Sequence, residues 1–340
     1  MTTIADVAKA AGVSPMTVSN AMSGKPNVSD KTRERVLETA RQLNYHVNIV
    51  ARGLRSGKTN TIGLAIPELD SPFPSRFAAE VTNAASDCGY RVLVQQTHSL
   101  RNSEQSLLSL GNSGLVDGLI FSAIGSSNEE MERASKNFPV VVYDDHISNP
   151  SFDMFCSPNR EGAAAATKIL VENGARNIVV LGTEGPFSND GFYGQVERWQ
   201  GALEQVRSYG DIGIQLTPIH CNWTTTAARS AMHSLVDNRT KFDSVFGLTD
   251  SVALGALRGL ADYKIKCPEE IKVIGFDGIH EGEYSIPSLS TVDINIKGIA
   301  RNCVALLMEK IGSKSVSTKS TKHVLPFRVI QRESTTSMES

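Results

Sequence analysis

The chain opens with Thr3-Ile-Ala-Asp-Val-Ala-Lys-Ala-Ala-Gly-Val-Ser-Pro-Met-Thr-Val-Ser-Asn-Ala-Met22, a pattern typical of two short helices joined by a tight turn. Thr3 and Asp6 predict a capping box at the start of the first helix. Gly12 ends that helix, because the turn needs a residue that tolerates a positive φ. Ser14 can cap the second helix, with Pro15 at its first position. The stretch therefore predicts a helix-turn-helix, and the alternative is a plain helical hairpin.

The second helix is of a size to enter a major groove, so its outward side chains are candidates for base contacts. Those side chains belong to Pro15, Met16, Thr17, Ser19 and Asn20. Pro15 and Met16 can offer only apolar contact, for which a thymine methyl is the natural partner. The Asn20 amide can form a bidentate pair with adenine. The alternative is that Asn20 touches only phosphate, a contact that carries no sequence information.

A third helix is expected over roughly residues 30–43, with Ser29 as its cap. The predicted core of this small domain is Ile4, Val7, Val18, Val36, Leu37 and Leu43, with Tyr45 as a further candidate. Residues 1–58 contain nine Lys and Arg against four Asp and Glu, a net charge of +5, whereas the remainder carries −7. A basic head on an acidic body indicates that only the head meets a polyanion.

Residues 48–57 follow the head, and two interpretations of them stay open. The segment is too short to be helical alone in water, so it is either a linker or a hinge that becomes helical only when something holds it.

Composition and cysteine usage limit the class of protein. The chain has 340 residues, 40% hydrophobic and 21% charged, which is typical of a soluble globular protein of two or three domains. We find neither an apolar signal core nor a run of membrane-spanning length, so we expect a cytoplasmic protein with no membrane partner. The five cysteines are widely spaced and form no C-x-x-C pair, which favours buried free thiols.

From Thr61 onward, apolar strand runs alternate with helical stretches, first over residues 61–143 and again over 161–276. This alternation is typical of βαβ units, whose parallel sheets are covered on both faces. The predicted fold is therefore a small all-α head followed by an α/β core of two doubly wound parallel-sheet subdomains. A strand at 291–293, a helix over about 297–311 and a strand at 324–329 are expected to return and complete both sheets.

Open parallel sheets bind ligands beyond the carboxyl ends of their strands. The predicted loops at those ends are rich in Asp, Arg, Asn and Ser and contain the aromatic residues Phe73 and Trp223. Such a set suits a polyol or sugar, because planar hydrogen-bonding groups match the hydroxyls and aromatic rings match the ring face. For any single residue the alternative is an ordinary loop-end cap.

The sequence contains none of the common catalytic or nucleotide-binding patterns. The sequence has no G-x-S-x-G, no H-E-x-x-H, no P-loop and no G-x-G-x-x-G after a strand, and its seven histidines are not paired at metal-ligand spacing. We therefore expect neither an enzyme nor a metal or other cofactor.

Taken together, these motifs resemble the lactose/galactose repressor (LacI) family over essentially the whole chain. Besides the first stretch, the resemblance rests on Val50-Ala-Arg-Gly-Leu-Arg55, Gly57-Lys-Thr-Asn-Thr-Ile-Gly63, Val116-Asp-Gly-Leu-Ile120, Thr249-Asp-Ser-Val-Ala-Leu-Gly255, Val273-Ile-Gly-Phe-Asp277 and Leu289-Ser-Thr-Val292.

The resemblance implies a homodimeric transcription regulator, with operator DNA and a small-molecule effector of the carbohydrate class as partners. Its expected domains are a helix-turn-helix domain over 1–46, a hinge over 47–59 and an effector-binding core over 60–335. The core would resemble periplasmic sugar-binding proteins, with one subdomain from about 60–160 and 293–322 and the other from about 161–290 and 323–335. The chain ends without a leucine heptad tail, which favours a dimer over a tetramer.

Two sets of site residues follow from the motifs and the resemblance. The predicted DNA contacts are Thr3, Ser14, Pro15, Met16, Thr17, Asn20, Asn27, Val28, Ala51, Arg52, Leu54 and Arg55, and the resemblance implies that Leu54 is wedged between central base pairs in the minor groove. The predicted effector contacts are Phe73, Ser75, Ser122, Asp144, Arg198, Trp223, Thr249, Asp250 and Asp277.

The chain departs from the family pattern at four places. It has Thr249-Asp250 for the usual Asn-Asp, Pro158-Asn159 for Asp-Asn, Ile294 for a common Gln, and Asn20 where Arg is frequent. These changes bear on the identity of the effector and on the operator sequence.

The leading hypothesis is thus an effector-controlled DNA-binding repressor. Two other classes of protein are the alternatives. A sugar-binding protein of the transport type requires export and has no use for a basic head, and a sugar-processing enzyme requires a catalytic constellation.

Overall fold

A computed structural model describes residues 2–45, 58–122, 124–143, 152–183, 193–211, 213–313 and 321–336. The chain forms two compact units, residues 1–59 and residues 60–340, and each is described by itself.

The first unit contains three helices, α1 (Ile4–Ala11), α2 (Pro15–Met22) and α3 (Asp30–Gln42). The predicted capping box is confirmed, since Asp6 N–H donates to Thr3 Oγ1 at 3.3 Å and Thr3 N–H donates to Asp6 Oδ2 at 2.8 Å. Gly12 has φ +65° and ends α1. The Ser14 hydroxyl accepts from Thr17 N–H at 3.1 Å and caps α2. These local bonds explain why the sequence forms two helices with a turn at this point.

The core of the first unit lies where the three helices meet. Its buried residues are Val7, Ala8, Ala11, Val18, Ala21, Val28, Val36 and Ala40, with Ile4, Leu43 and Tyr45 packed at its margin. The prediction for Leu37 was wrong, because 42% of its side chain is exposed. Leu37 follows the buried Val36 on α3, and a step of one helical residue turns it away from the other two helices.

The second unit is built on two six-stranded sheets with the same internal strand order. The first sheet has the order β11-β5-β4-β3-β1-β2 and the second has β12-β10-β9-β8-β6-β7. All pairings are parallel except that of β10 with β12. The strands are β1 Thr61–Ile66, β2 Arg91–Gln96, β3 Gly118–Phe121, β4 Val140–Tyr143, β5 Met154–Cys156, β6 Asn177–Thr183, β7 Gln215–His220, β8 Ser244–Gly247, β9 Lys272–Asp277, β10 Ser290–Asp293, β11 Lys322–Val324 and β12 Arg328–Ile330.

Helices connect the strands and cover the sheets. They are α4 Pro72–Asp87, α5 Arg101–Asn112, α6 Asn128–Asn137, α7 Asn159–Glu172, α8 Tyr193–Ser208, α9 Thr225–Asp237, α10 Asp250–Asp262 and α11 Ile296–Gly312, and a short 3₁₀ helix spans His280–Glu283. The central strands β3, β4 and β8 are buried along their whole length, which explains their continuous apolar sequence. The predicted doubly wound α/β core is therefore confirmed.

The chain passes between the two sheets three times, after β5, after β10 and after β11. We expected one strand over 324–329, and this was wrong. Lys322–Val324 pairs with β5 in the first sheet, whereas Arg328–Ile330 pairs with β10 in the second. Pro326 lies between the two short strands, and it has no N–H to donate to a continuous ladder.

Two further observations bear on the sequence-based expectations. All five cysteines are free thiols, but only Cys156, Cys221 and Cys303 are buried. Cys267 is partly buried, and Cys88 is exposed because it follows the last turn of α4 at the surface. Within the described ranges, none of the helices combines the length and the apolar character that a membrane span requires.

Candidate DNA-reading surface and effector cavity

The exposed side of α2 is the candidate DNA-reading surface. Ser14, Pro15 and Met16 are exposed at its start, and 69% of the Met16 side chain is accessible. Thr17 and Asn20 are partly buried on the same helix, and the Thr17 hydroxyl is held 2.9 Å from that of Ser14. The surface thus offers two apolar side chains first and an amide one turn later.

The other predicted DNA contacts divide into three groups. Thr3 and Asn27 are exposed on the same unit. Val28 is only 7% exposed and packs into the three-helix core, so its side chain supports the fold and does not present a surface to DNA. Ala51, Arg52, Leu54 and Arg55 lie outside the described residues.

A cavity of about 270 Å³ lies in the second unit, at the carboxyl ends of strands from both sheets. Such strand ends are where doubly wound folds bind ligands. The lining residues are Ile66, Pro67, Glu68, Ser71, Phe73, Pro74, Phe77, Ser99, Ser122, Ile124, Tyr143, Ser157, Gly194, Arg198, Trp223, Thr249, Ser251 and Asp277.

Arg198 is the central cation of this cavity, and it is only 3% exposed. Its guanidinium carbon lies 3.8 Å from the ring centroid of Phe276 and 5.2 Å from that of Trp223. Nε donates to Asn159 Oδ1 at 2.8 Å, and Nη1 donates to the carbonyl of Leu248. Two aromatic faces and fixed acceptors therefore hold a buried guanidinium in one orientation, which is the condition for directional hydrogen bonding to a ligand.

Asp277 faces this guanidinium, with its Oδ1 3.5 Å from Arg198 Nη1. It is the last residue of β9 and has φ +124°, a conformation that L side chains rarely adopt. The pair places a carboxylate and a guanidinium side by side in the wall of the cavity, where they neutralise each other's charge.

Aromatic rings line the cavity on both sides. Trp223 Nε1 donates to the Gly182 carbonyl at 2.8 Å, which fixes the indole plane. That carbonyl also accepts from Gln195 Nε2 at 2.9 Å. On the other side, Phe73 and Tyr143 have ring centroids 5.8 Å apart, and the Tyr143 hydroxyl is 3.2 Å from that of Ser157. The cavity therefore combines flat apolar surfaces with a few fixed polar groups.

A buried carboxylate supports one wall of the cavity from below. Glu104 of α5 is fully buried, and its Oε1 accepts from the N–H groups of Ile124 at 3.0 Å and Gly125 at 2.9 Å. Its Oε2 accepts from the Ser126 hydroxyl at 2.7 Å. These bonds shape the loop after β3, in which Ser122 and Ile124 line the cavity.

Comparison with known proteins identifies the family. The family model for bacterial regulatory proteins of the lacI family matches residues 3–48, and that for a periplasmic binding protein-like domain matches residues 167–335. The ribose operon repressor of Halalkalibacterium halodurans is 31% identical over 335 residues, covering 98% of this chain and 97% of that protein. The chain belongs to the lacI family. Like the family, it is a DNA-binding transcription regulator.

Two solved structures share the fold of this lacI-family regulator. The lac repressor dimer bound to operator and an anti-inducer aligns with a TM-score of 0.83 over 98% of this chain and 99% of that chain, at 23% identity. A LacI family transcriptional regulator from Enterococcus faecium with bound ribose aligns with a TM-score of 0.70 over 82% of this chain and 100% of that chain, also at 23% identity.

In this lacI-family core, six of the predicted effector residues come together around the cavity: Phe73, Ser122, Arg198, Trp223, Thr249 and Asp277. Ser75 does not line it, because its hydroxyl donates to the Ser71 carbonyl at 2.7 Å within the first turns of α4. Asp250 does not line it either, because its carboxylate lies beneath the loop after β9 and is fully buried. Asp144 lies outside the described residues.

Sequence reasoning missed several lining residues by name, among them Ser99, Tyr143 and Ser157. Ser157 directly follows β5 and Ser99 follows β2, so both obey the strand-end rule that located the other loops. Tyr143 ends β4, and its apolar run indicates core rather than cavity.

Proposed function

We propose that this regulator is a repressor that binds a two-fold symmetric operator as a homodimer, and that a neutral monosaccharide in the cavity controls its operator affinity. The observation that carries the proposal is the buried Arg198, held between Phe276 and Trp223 and paired with Asp277. Aromatic faces suit the apolar side of a sugar ring, and the charged pair offers donors and acceptors to its hydroxyls.

The size and polarity of the cavity support a small neutral ligand. A volume of about 270 Å³ lies just below the usual range of roughly 300–1,000 Å³ for ligand pockets, which favours a monosaccharide over a disaccharide. The hydroxyl groups of Ser71, Ser99, Ser122, Ser157 and Ser251 line the same cavity.

The proposal assigns binding and no reaction to the cavity. Its residues offer an ion pair, the carboxylate of Glu68, hydroxyls and aromatic rings, and we assign none of them the role of a nucleophile. A DNA-binding regulator of this family acts where bacterial DNA lies, so we place the protein in the cytoplasm.

The test is calorimetric titration with D-ribose, D-xylose, D-glucose and cellobiose, followed by operator binding with and without the sugar. We expect at least one monosaccharide to bind and to change operator affinity, and cellobiose to fail. A ligand can shift operator affinity only through its different affinities for the two states of the protein. Binding of cellobiose in preference to all the monosaccharides would contradict the proposed ligand size.

Arg198→Ala is the first diagnostic variant. Loss of a charge-assisted hydrogen bond costs about 1.5–3 kcal/mol, so sugar affinity should fall roughly tenfold to hundredfold. Operator binding without sugar should be retained, because the variant leaves the head unchanged. Arg160→Ala is the matched control: Arg160 pairs with Glu204 on the outside of the same subdomain. An unchanged sugar response in Arg198→Ala would remove Arg198 from the site.

A further inference from the structure

Asp250 is a buried carboxylate that the cavity itself does not use. It is the first residue of α10 and is 0% exposed. Its Oδ2 accepts from two successive backbone N–H groups, those of Gly278 at 2.8 Å and Ile279 at 2.9 Å. Its Oδ1 accepts from the Thr291 hydroxyl at 2.6 Å. All these partners belong to the turn after β9 or to the neighbouring strand β10.

The turn that Asp250 binds contains two consecutive residues with positive φ, Asp277 at +124° and Gly278 at +78°. For a residue other than glycine, such a conformation persists only where the surroundings determine it. Gly275 leaves the space that the Asp250 carboxylate occupies, since a β-carbon there would collide with Oδ1. Gly278 packs directly on the backbone of Asp293. The strained turn is therefore held by Asp250 on one side and by β10 on the other.

The conformation of this turn decides where the Asp277 carboxylate lies. With φ at +124°, Asp277 lines the cavity and its Oδ1 lies 3.5 Å from Arg198 Nη1. If the turn relaxed to negative φ, the direction of the Asp277 side chain would change, and Arg198 would lose a carboxylate partner. Arg198 would then be a buried cation able to accept an anionic ligand group.

We propose that Asp250 is a positioning residue of the effector site: it holds the turn over residues 277–279 in its strained form, keeps the Asp277 carboxylate on Arg198, and so makes the cavity select neutral sugars over sugar acids. The inference rests on the proposed function, because it assumes that the cavity binds a sugar. It deepens that function by assigning the selectivity to a residue that does not touch the ligand.

The test compares D-ribose with D-ribonate by calorimetric titration of the full-length chain. Asp250→Ala removes the carboxylate that accepts hydrogen bonds from the N–H groups of the turn. It should weaken D-ribose binding about tenfold, which is the scale of one hydrogen bond to a charged group. Affinity for D-ribonate should stay unchanged or rise, so the preference for D-ribose over D-ribonate should decrease or reverse. Asp250→Asn keeps an acceptor and should retain most of the wild-type ratio.

Two comparisons separate positioning from a general loss of stability. In an Asp277→Asn background, Asp250→Ala should change neither affinity further, because coupled residues are not additive. Met232→Ala is the matched control, since Met232 is a fully buried core residue of α9 that lies against Gly259 of α10 and has no part in the turn. It should lower stability and leave the D-ribose to D-ribonate ratio unchanged. Equal losses for both sugars in Asp250→Ala, or additive losses in the double variant, would overturn the proposal.

A ligand-free crystal structure of Asp250→Ala keeps the inference testable if D-ribose does not bind. In that event the proposed sugar ligand fails, while the positioning role is still decided by the geometry of Asp277. We expect Asp277 to leave positive φ and its carboxylate to move away from Arg198. An unchanged turn would overturn the proposal. If Asp250→Ala does not fold, Thr291→Val, which removes the hydroxyl donor to Oδ1, takes its place in both experiments.

Discussion

At the scale of single residues, the start of α10 gives two neighbouring polar side chains different surroundings. Thr249 and Asp250 follow one strand end and were both expected in the cavity. Thr249 caps α10 and lines the cavity, whereas Asp250 points beneath the next loop. Adjacent residues at the start of a helix point in different directions, and only the packing of β9 and β10 decides which of them meets the cavity. The same limit applies to Val28, a predicted DNA contact whose apolar side chain packs into the core of the three helices.

The operator sequence read by Asn20 is the first residue-scale prediction. Selection from a random DNA pool with wild type should give half-sites rich in A·T opposite Pro15, Met16 and Asn20, because apolar groups favour thymine methyls and an amide favours adenine. Asn20→Arg should shift one position toward guanine, with discrimination of roughly 1–3 kcal/mol. Gln42→Ala, at an exposed neutral residue of α3 and outside the reading surface on α2, is the control. An unchanged consensus in Asn20→Arg would show that Asn20 reads no base.

The second residue-scale prediction concerns pH. Burial raises the pKa of the Asp250 carboxyl from its ordinary value of 3.8 to about 6, although hydrogen bonds from Thr291 and the turn oppose the change. A raised pKa favours the protonated folded state, so the stability contribution of Asp250 is present below about pH 4 and is lost as pH rises through about 6. Relative to Asp250→Asn, wild type should therefore lose up to about 3 kcal/mol of unfolding free energy between pH 4 and 7. Denaturant titrations at several pH values measure this, and parallel pH curves for the two proteins would contradict it.

At the scale of elements, caps and periodicity predicted most helices and strands, because those signals are local. The head helices are capped by the side chains of Thr3, Ser14 and Ser29, as the sequence predicts. Two sequence-based predictions were wrong for nonlocal reasons. Leu37 fits an apolar stripe but its side chain is largely exposed, and the run over 324–329 is divided between two sheets. Sequence periodicity does not record which neighbour an element will meet.

The hinge gives the element-scale prediction. We expect residues 48–55 to become helical on operator DNA and Leu54 to insert between base pairs, because it is a large apolar side chain that lies between the basic residues Arg52 and Arg55 in the sequence. Partial unstacking costs a few kcal/mol and is offset by the contacts that a bend permits. Leu54→Ala should thus weaken specific binding much more than non-specific binding in filter or fluorescence titrations. Val50→Ala, an apolar truncation in the same segment, should have a smaller effect. Equal losses on both kinds of DNA for Leu54→Ala would rule out insertion.

At the scale of the whole molecule, the basic head and the two alternating sets of strands and helices were enough to predict the architecture. The cavity followed in outline from the strand-end rule. The surface through which two copies would meet did not follow from the sequence, because an exposed apolar residue has no periodic signature. The loop after the 3₁₀ helix exposes 80% of Tyr284 and 96% of Ile286.

We expect this loop to lie in the homodimer interface, since a two-fold symmetric operator needs two heads and large apolar side chains favour burial. Ile286→Glu should raise the dimer dissociation constant at least about tenfold, because a charge at the core of an interface is unfavourable. Val324→Glu is the control. Val324 is 50% exposed on β11, an edge strand of the first sheet, whereas Ile286 lies in the loop before β10 of the second sheet. Sedimentation velocity measures both variants. A monomeric wild type, or an Ile286→Glu dimer as stable as wild type, would contradict the assignment.

The bond between the Trp223 indole and the Gly182 carbonyl has an optical consequence. The chain contains only two tryptophans, and the other, Trp199, is buried next to Arg198 in sequence on α8. The Trp223 indole lies in the cavity wall, 5.2 Å from the Arg198 guanidinium carbon. Its fluorescence emission therefore depends on the electric field of that charge and on the access of water to the ring. The protein therefore carries its own fluorophore in the wall of the cavity that we propose binds the effector. Replacing Trp199 by phenylalanine would leave an emission spectrum that reports on the occupancy of this cavity alone, without a label and in the presence of DNA.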